Sequence, residues 1–173
     1  FDNYEIFIRG GFSEMYNSLE LIIEGGIANV RLNRPEKHNA INLDMFRELG
    51  EVGEFLSTNE DVRVVILSGN GKSFCAGIDL QSMGKLTQNG SFDEMALNPL
   101  KGSDSNMFQR AATIWYDLPV PVIAAVHGAC LGGGMQISLG CDVRVASPDA
   151  SFSIMELKWG IIPDMGISVT LPR

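Results

Sequence analysis

The sequence has few of the residues that build metal sites or disulfide frameworks. It contains three cysteines and two histidines among 173 residues. Cys75, Cys130 and Cys141 form no CxxC pair and no Cys/His cluster. An odd number of cysteines in apolar or glycine-rich runs is typical of reduced thiols in a protein core. We therefore expect no zinc site and no disulfide.

Long apolar runs and an excess of positive charge are also lacking. The uncharged apolar stretches are interrupted well short of the roughly 20 residues that cross a bilayer, and no basic-then-apolar signal sequence opens the chain. The 13 lysines and arginines are outnumbered by 21 aspartates and glutamates, which gives a net charge of −8. This balance argues against a nucleic-acid-binding surface. We expect a cytoplasmic, soluble protein with neither a membrane nor a nucleic acid as partner.

The composition is that of a globular α/β domain. Hydrophobic residues make up 45% of the chain, and the length suffices for a substantial core. Alternating apolar residues predict a β-hairpin from Leu19–Glu24 and Ile27–Leu32. Asn42 is a candidate N-cap for a helix that ends near Leu56, and residues 62–67 form a β-branched run typical of a buried strand. A strand, helix, strand order predicts an α/β protein.

Two later stretches have contrasting patterns. Residues 83–105 are rich in Gly, Ser, Asn and Asp, which predicts a mobile surface loop. Residues 106–117 carry apolar side chains at helical spacing and are followed by Pro119, which predicts a helix that stops there.

Three consecutive glycines, Gly132 to Gly134, follow a β-branched run at 119–126 and open a predicted short helix. Two interpretations fit this pattern. The glycines can form only a tightly packed turn. Alternatively, their bare backbone N–H groups at a helix start can bind an oxyanion or a phosphate.

Two carboxylates lie among bulky apolar residues near the end of the chain. Glu156 and Asp164 are eight positions apart, with Trp159 and Ile161 between them. Burial of a carboxylate raises its pKa toward the range that is useful for proton transfer. A solvated surface pair is the other interpretation, and these residues alone do not decide between the two.

Several motifs in order carry a family resemblance. They are Phe-Cys-Ala-Gly-Ile-Asp-Leu at 74–80, Pro-Val-Ile-Ala-Ala-Val-His-Gly at 121–128, the triple glycine, Cys-Asp at 141–142, and the stretch 152–166. Together they resemble the enoyl-CoA hydratase/isomerase (crotonase) superfamily over residues 18–173. The resemblance implies an α/β spiral of repeated β-β-α units, usually assembled as a homotrimer or hexamer. We expect residues 1–17 to be an N-terminal extension and 18–173 a core domain that lacks the family's C-terminal helical part.

The resemblance also implies site residues. The backbone amides of Ile78 and Gly133 match the family's oxyanion hole, which holds the thioester oxygen while an enolate forms. The loop around Lys37, together with Ala76 and the backbone of Asp79, Leu80 and Gln81, resembles the strip that receives coenzyme A. No metal and no cofactor are implied beyond coenzyme A itself, which is part of the acyl-CoA substrate.

One position departs from the hydratase pattern. Hydratases carry a glutamate where this chain has Gln136, paired with a second at the position of Glu156, and Gln136 cannot exchange a proton. Asp164 falls where dienoyl-CoA isomerases carry an aspartate. We therefore predict an acyl-CoA enzyme with Glu156 as first-choice acid/base and Asp164 as second carboxylate, more suited to double-bond isomerisation than to hydration. The alternatives are a non-catalytic acyl-CoA-binding or scaffold homologue and, less in keeping with the acidic charge, an RNA-binding protein.

Overall fold

The computed structural model describes residues 4–8, 11–88 and 91–172, which form a mixed α/β architecture. The strands are β1 (Tyr4–Ile8), β2 (Gly11–Met15), β3 (Leu19–Glu24), β4 (Ile27–Leu32), β5 (Val64–Gly69), β6 (Val122–Val126), β7 (Ala129–Leu131), β8 (Val143–Ala146) and β9 (Ser151–Ser153). The helices are α1 (Leu43–Thr58), α2 (Leu80–Gln88), α3 (Ser91–Leu97), α4 (Met107–Asp117), α5 (Gly133–Leu139), α6 (Glu156–Trp159) and α7 (Ile167–Thr170).

A seven-stranded sheet has the order β1-β2-β3-β4-β5-β6-β8. Its first four strands pair antiparallel, and the pairings from β4 onward are parallel. The predicted hairpin of β3 and β4 is confirmed. It turns at Gly25 and Gly26, whose φ angles of +59° and +83° suit a two-residue hairpin loop. A second, two-stranded parallel sheet joins β7 to β9.

The predicted N-terminal extension contributes β1 and β2 to the large sheet. β2 pairs antiparallel with β3, and β1 pairs with β2. Residues 1–17 therefore contain sheet strands rather than only a tail, while a domain boundary at Ser18 stays a prediction.

Helices α1 and α4 pack together beside the sheet. The rings of Phe46 and Phe108 meet edge to face with centroids 4.9 Å apart, a favourable aromatic geometry. Asn42 is the N-cap of α1, as predicted, and accepts the Met45 N–H at 3.0 Å. The helix ends at Thr58, two residues beyond the predicted end. The predicted helix at 106–117 is confirmed as α4, which begins with a capping box at Asn106.

The predicted surface loop at 83–105 is wrong in large part, because it contains most of α2 and all of α3. Met83, Met95 and Ala96 are partly buried against the hydrophobic core. Tertiary burial of these few apolar side chains outweighs the loop-forming composition of the stretch. No helix in the described ranges is long and apolar enough to span a membrane.

Candidate active site

The triple glycine lies where β7 leads into α5. Gly132 has φ +52°, and a Cβ on Gly134 would lie 2.6 Å from Cys75 Cβ and 2.7 Å from the Cys75 carbonyl oxygen. Only glycine permits this approach at position 134. Gly134 is therefore tightly packed, as in the first interpretation, but it lies in α5 and not in a turn. The other two glycines border a cavity.

The cavity has a volume of about 320 Å³. It is lined by Ala76, Gly77, Ile78, Leu80, Gly132, Gly133, Met155, Glu156, Trp159 and Ile161. The lining is mostly apolar, and Glu156 is the only one of these ten residues with an ionisable side chain. A mostly apolar cavity with one convergent charged group is typical of a small-molecule site.

Two backbone N–H groups at the cavity have no protein acceptor among the described residues. Ile41 donates its N–H to the Gly77 carbonyl and accepts the Asp79 N–H, at 2.8 and 2.9 Å. Since successive N–H groups of extended backbone point to opposite sides, the Ile78 N–H points away from Ile41. Gly133 is the first residue of α5, so its N–H has no intrahelical partner.

Glu156 begins α6 and is 6% exposed. Its Oε1 accepts a hydrogen bond from Gln136 Nε2 at 2.7 Å. Its Oε2 is buried and has no hydrogen-bond partner within the described part of the chain. A buried carboxylate oxygen without a protein partner is available to a ligand in the cavity.

Gln136 lies behind Glu156, not in the cavity wall. It is 1% exposed, and its Oε1 accepts the Met165 backbone N–H at 2.9 Å. The predicted pairing of Gln136 with Glu156 in one site is thus present as a direct contact. Met165, which the sequence did not single out, anchors the other end of the Gln136 amide.

Asp164 is exposed and is not among the residues that line the cavity. Its neighbour Met165 is buried, with its N–H bound to Gln136. This turn of the chain places the Asp164 side chain on the solvent side. The structure brings Glu156 to the cavity but not Asp164, and a catalytic role for Asp164 stays a prediction.

The residues of the predicted coenzyme A strip divide into two groups. Ala76 and Leu80 line the cavity, whereas Lys37 and Gln81 are exposed outside its lining. The Asp79 side chain accepts from Arg34 Nη2 at 3.0 Å and from the Ser82 N–H at 3.2 Å. It therefore serves as an anchor for the start of α2.

The ionisation of Asp79 reflects these contacts. Burial raises the pKa of its carboxyl group, but the hydrogen bonds from Arg34 and from the Ser82 and Gln81 amides outweigh burial and hold the pKa below its ordinary value. Asp79 is thus held as the anion.

Arg34 and Asn39 support the site although the sequence analysis missed them. Asn39, at φ +56°, is buried and donates from Nδ2 to the Ser73 and Phe74 carbonyls at 2.8 and 3.1 Å. Its Oδ1 accepts the Arg34 N–H at 2.8 Å. Arg34 also donates to the Ala40 carbonyl. These contacts hold the loop containing Lys37 against the segment that leads to Ile78. No sequence signal distinguishes Asn39 from an ordinary loop residue.

The three cysteines are buried, free thiols, as predicted. Burial raises the pKa of Cys75 and Cys141 to about 12 and that of Cys130 to about 11. Neutral thiols are poor nucleophiles, so these residues belong to the core. Among the described residues, no group of three or more His, Cys, Asp and Glu side chains is arranged to hold a metal ion.

The sequence model of the enoyl-CoA hydratase/isomerase family matches residues 22–173. The chain belongs to the enoyl-CoA hydratase/isomerase family. The predicted family resemblance is therefore confirmed.

Relatives within the family are similar along most of this chain. A peroxisomal Delta(3,5)-Delta(2,4)-dienoyl-CoA isomerase of Arabidopsis thaliana is 41% identical over 165 residues, which cover 92% of this chain and 59% of the relative. A mitochondrial Delta(3,5)-Delta(2,4)-dienoyl-CoA isomerase of Mus musculus is 40% identical over 85% of this chain and 45% of its own length. The chain thus spans about half the length of these relatives. Their organelles differ from the predicted cytoplasmic location, which stays a prediction.

Solved structures confirm the expected crotonase fold. The crystal structure of an enoyl-CoA hydratase from Bacillus anthracis matches with a TM-score of 0.77 and 31% identity, over 91% of this chain and 58% of that one. A Mycobacterium avium enoyl-CoA hydratase matches with a TM-score of 0.74 and 28% identity, over 90% of this chain and 57% of that one. The mixed α/β architecture is therefore that of the family's core.

Proposed function

We propose that the full-length protein is an acyl-CoA enzyme that moves a double bond through a thioester enolate. The observation that carries this proposal is the convergence of three groups on one cavity. Ile78 and Gly133, whose backbone N–H groups have no protein acceptor among the described residues, line the same cavity as Glu156, and Oε2 of Glu156 has no hydrogen-bond partner there. Donors of this kind stabilise the negative charge that develops on a thioester oxygen, and a nearby carboxylate removes a proton from carbon.

In the proposed reaction the thioester carbonyl accepts hydrogen bonds from the two amides. Glu156 takes a proton from the acyl chain, and the electron pair of the broken C–H bond moves into the conjugated enolate. The proton returns at another carbon, which shifts the double bond. No water is consumed, and the carboxylate is regenerated as the anion.

Isomerisation suits this site better than hydration does. Hydration needs a water to be held and deprotonated beside the double bond, and Glu156 is the only ionisable residue in the cavity lining. Gln136 can donate and accept hydrogen bonds but cannot exchange a proton. The names of the two dienoyl-CoA isomerases that resemble this chain favour the same choice.

The proposed ligand contacts extend beyond the acyl pocket. Ala76 and Leu80 at the cavity and the exposed Lys37 and Gln81 outside it form the proposed strip for coenzyme A. No cofactor other than coenzyme A within the substrate is proposed. We also propose a homotrimer or hexamer for the full-length protein, to be measured by light scattering.

The test is a spectrophotometric screen of the full-length protein against enoyl- and dienoyl-CoA thioesters. Migration of a double bond into or out of conjugation changes the ultraviolet absorbance directly. Turnover of a dienoyl-CoA that Glu156→Gln abolishes supports the proposal. Binding of the thioesters without turnover would instead indicate the non-catalytic scaffold.

A further inference from the structure

We infer that Gln136 is a positioning residue that locks Glu156 in one orientation, with Oε1 tied and Oε2 free for the substrate. The effect of this lock on turnover rests on the proposed function, but the lock itself does not. Gln136 occupies the position at which the chain departs from the hydratase pattern, and its contacts give that departure a specific role.

The orientation of the Gln136 amide is fixed by a backbone donor. The Met165 N–H can only donate, and it lies 2.9 Å from Gln136 Oε1. The other end of the amide must then be the NH₂ group, which lies 2.7 Å from Glu156 Oε1. A flipped amide would set an N–H against the Met165 N–H and an oxygen against the Glu156 carboxylate. Since Gln136 is 1% exposed, water cannot compensate for either mismatch.

The hydrogen bond from Gln136 gives the two oxygens of Glu156 different roles. Oε1 accepts from Gln136, so it is not the oxygen that exchanges a proton. Oε2 has no partner in the described structure and lies 3.6 Å from the point that a Cβ on Gly132 would occupy. A proton taken from the substrate forms the new O–H bond at Oε2. The same O–H then breaks when the proton returns to another carbon, while Oε1 keeps its bond from Gln136 throughout.

Gln136 also links three segments of the fold. Its own helix α5 carries Gly133, its NH₂ group holds Glu156 at the start of α6, and its oxygen holds Met165 shortly before α7. The distance between the base and the Gly133 amide is therefore set through one side chain. A glutamate at this position could keep the Met165 bond, but it would place a second carboxylate against Glu156.

The experiment measures the hydrogen bonding of the Glu156 carboxylate directly in the full-length protein. Infrared difference spectra between each protein and the same protein carrying Glu156→Gln isolate the carboxylate bands of Glu156. Gln136→Met keeps the side-chain volume and removes both hydrogen bonds. A hydrogen bond to Oε1 alone makes the two C–O bonds of the carboxylate unequal, so the separation of its symmetric and antisymmetric stretching bands should become smaller in Gln136→Met. The matched control is Ser138→Ala, a buried residue of α5 that bonds to the Met135 carbonyl instead.

The charged groups around Glu156 make these spectra simple to interpret. No other ionisable side chain among the described residues lines the cavity, and Lys158 and Asp164, from the same part of the chain, are both exposed. An unchanged band separation in Gln136→Met, or an equal change in Ser138→Ala, would overturn the inference.

A second variant guards against misfolding of the first. Gln136→Glu keeps shape and volume but replaces the N–H donor with a carboxylate oxygen, which cannot donate to Glu156 Oε1 unless the two groups share a proton. The Glu156 bands should therefore differ from those of the wild type in this variant as well. Bands equal to those of the wild type would contradict the contact on which the inference depends.

Turnover separates this inference from the proposed function. If the wild type isomerises a dienoyl-CoA, Gln136→Met should lower kcat about ten- to hundredfold while KM changes little, because the base and not the binding surface is disturbed. If the wild type turns over no thioester, the proposed function fails, and the infrared bands still decide whether Gln136 positions Glu156.

Discussion

The carboxylate of Glu156 lies directly against Gly132: its two oxygens are 3.5 and 3.6 Å from the point that a Cβ on Gly132 would occupy. Gly132 itself has φ +52° and ψ −121°, a conformation that residues with a side chain rarely adopt. The first glycine of the motif is thus required by its backbone conformation and also lets the carboxylate lie close to the backbone.

Gly132→Ala should reduce both stability and activity. The positive φ costs about 1 kcal/mol of unfolding free energy or more, and the methyl group would contact both oxygens of the Glu156 carboxylate. We expect dienoyl-CoA turnover to fall by more than the loss of folded protein explains. Gly25→Ala is the control, because Gly25 has φ +59° with no atom within 4 Å of the added Cβ. Equal turnover per folded molecule in both variants would contradict the proposed cavity.

Gly133→Pro should lower kcat by about two to three orders of magnitude, the typical cost of losing one oxyanion-hole donor. Proline removes the N–H at a helix position that tolerates it. The matched variant is Gly133→Ala, which keeps the N–H but brings a Cβ to 2.9 Å from Ile41 Cδ1. Steady-state kinetics of both variants, with circular dichroism to verify folding, separate the effect of losing the Gly133 N–H from the effect of adding a side chain. Similar activity of the two variants would rule out the Gly133 N–H as a donor to the substrate.

Glu156→Gln should remove most of kcat, by about two to four orders of magnitude, and leave acyl-CoA affinity nearly unchanged, because shape is kept and only proton transfer is lost. Asp164→Asn is the comparison. Since Asp164 is exposed and Glu156 lines the cavity, we expect a smaller effect. Steady-state kinetics and calorimetric binding of a substrate analogue give the two quantities. A small loss of kcat in Glu156→Gln together with an inactive Asp164→Asn would assign the acid/base role to Asp164 instead.

Gln136→Glu should increase the hydration of crotonyl-CoA above a weak wild-type rate. It restores a second carboxylate beside Glu156, and general acid/base participation is typically worth about two to four orders of magnitude. The gain should be modest, because two carboxylates in contact share a proton near neutral pH. Loss of absorbance of crotonyl-CoA measures the rate. A wild type that hydrates as fast as ordinary hydratases would show that Gln136 does not disfavour hydration.

Asp79→Asn should make the stability difference from the wild type depend on pH. The pKa of Asp79 is held below its ordinary value of 3.8, so the folded state favours the anion. Its contribution, about 1 kcal/mol for a partly buried pair with Arg34, is present above this value and is lost as the pH falls through the lower folded-state pKa.

Urea unfolding of both proteins at about pH 7 and about pH 3 measures this contribution. The free energy of unfolding of the wild type should exceed that of Asp79→Asn at the higher pH and approach it at the lower pH. Asp44→Asn is the control, because the Asp44 side chain is 49% exposed and 3.9 Å from Arg47. A difference that grows toward low pH would mean that the Asp79 contacts do not favour the anion.

Local sequence patterns determined several of the regular elements of this protein. The hairpin of β3 and β4, the capped helices α1 and α4, and the glycine start of α5 follow from alternation, capping residues and missing side chains. These signals act over a few neighbouring residues, so they can be recognised in the sequence without knowledge of the fold. The ordered motifs also sufficed to indicate the family and to single out Ile78, Gly133 and Glu156.

Tertiary structure decided which candidates meet. Ile78 and Gly133 are 55 positions apart in the sequence. They line one cavity because Cys75 forms backbone hydrogen bonds with Ala129 and Leu131 and packs against Gly134. Burial of Met165 places the neighbouring Asp164 on the solvent side. Burial of apolar side chains also explains why residues 83–105 contain helices where the sequence predicted a loop. The orientation of the Gln136 amide could not be predicted from the sequence either, because it depends on the direction of a backbone N–H from Met165, 29 residues away. Sequence specifies residue type, while burial and hydrogen-bond direction arise only when distant segments pack together.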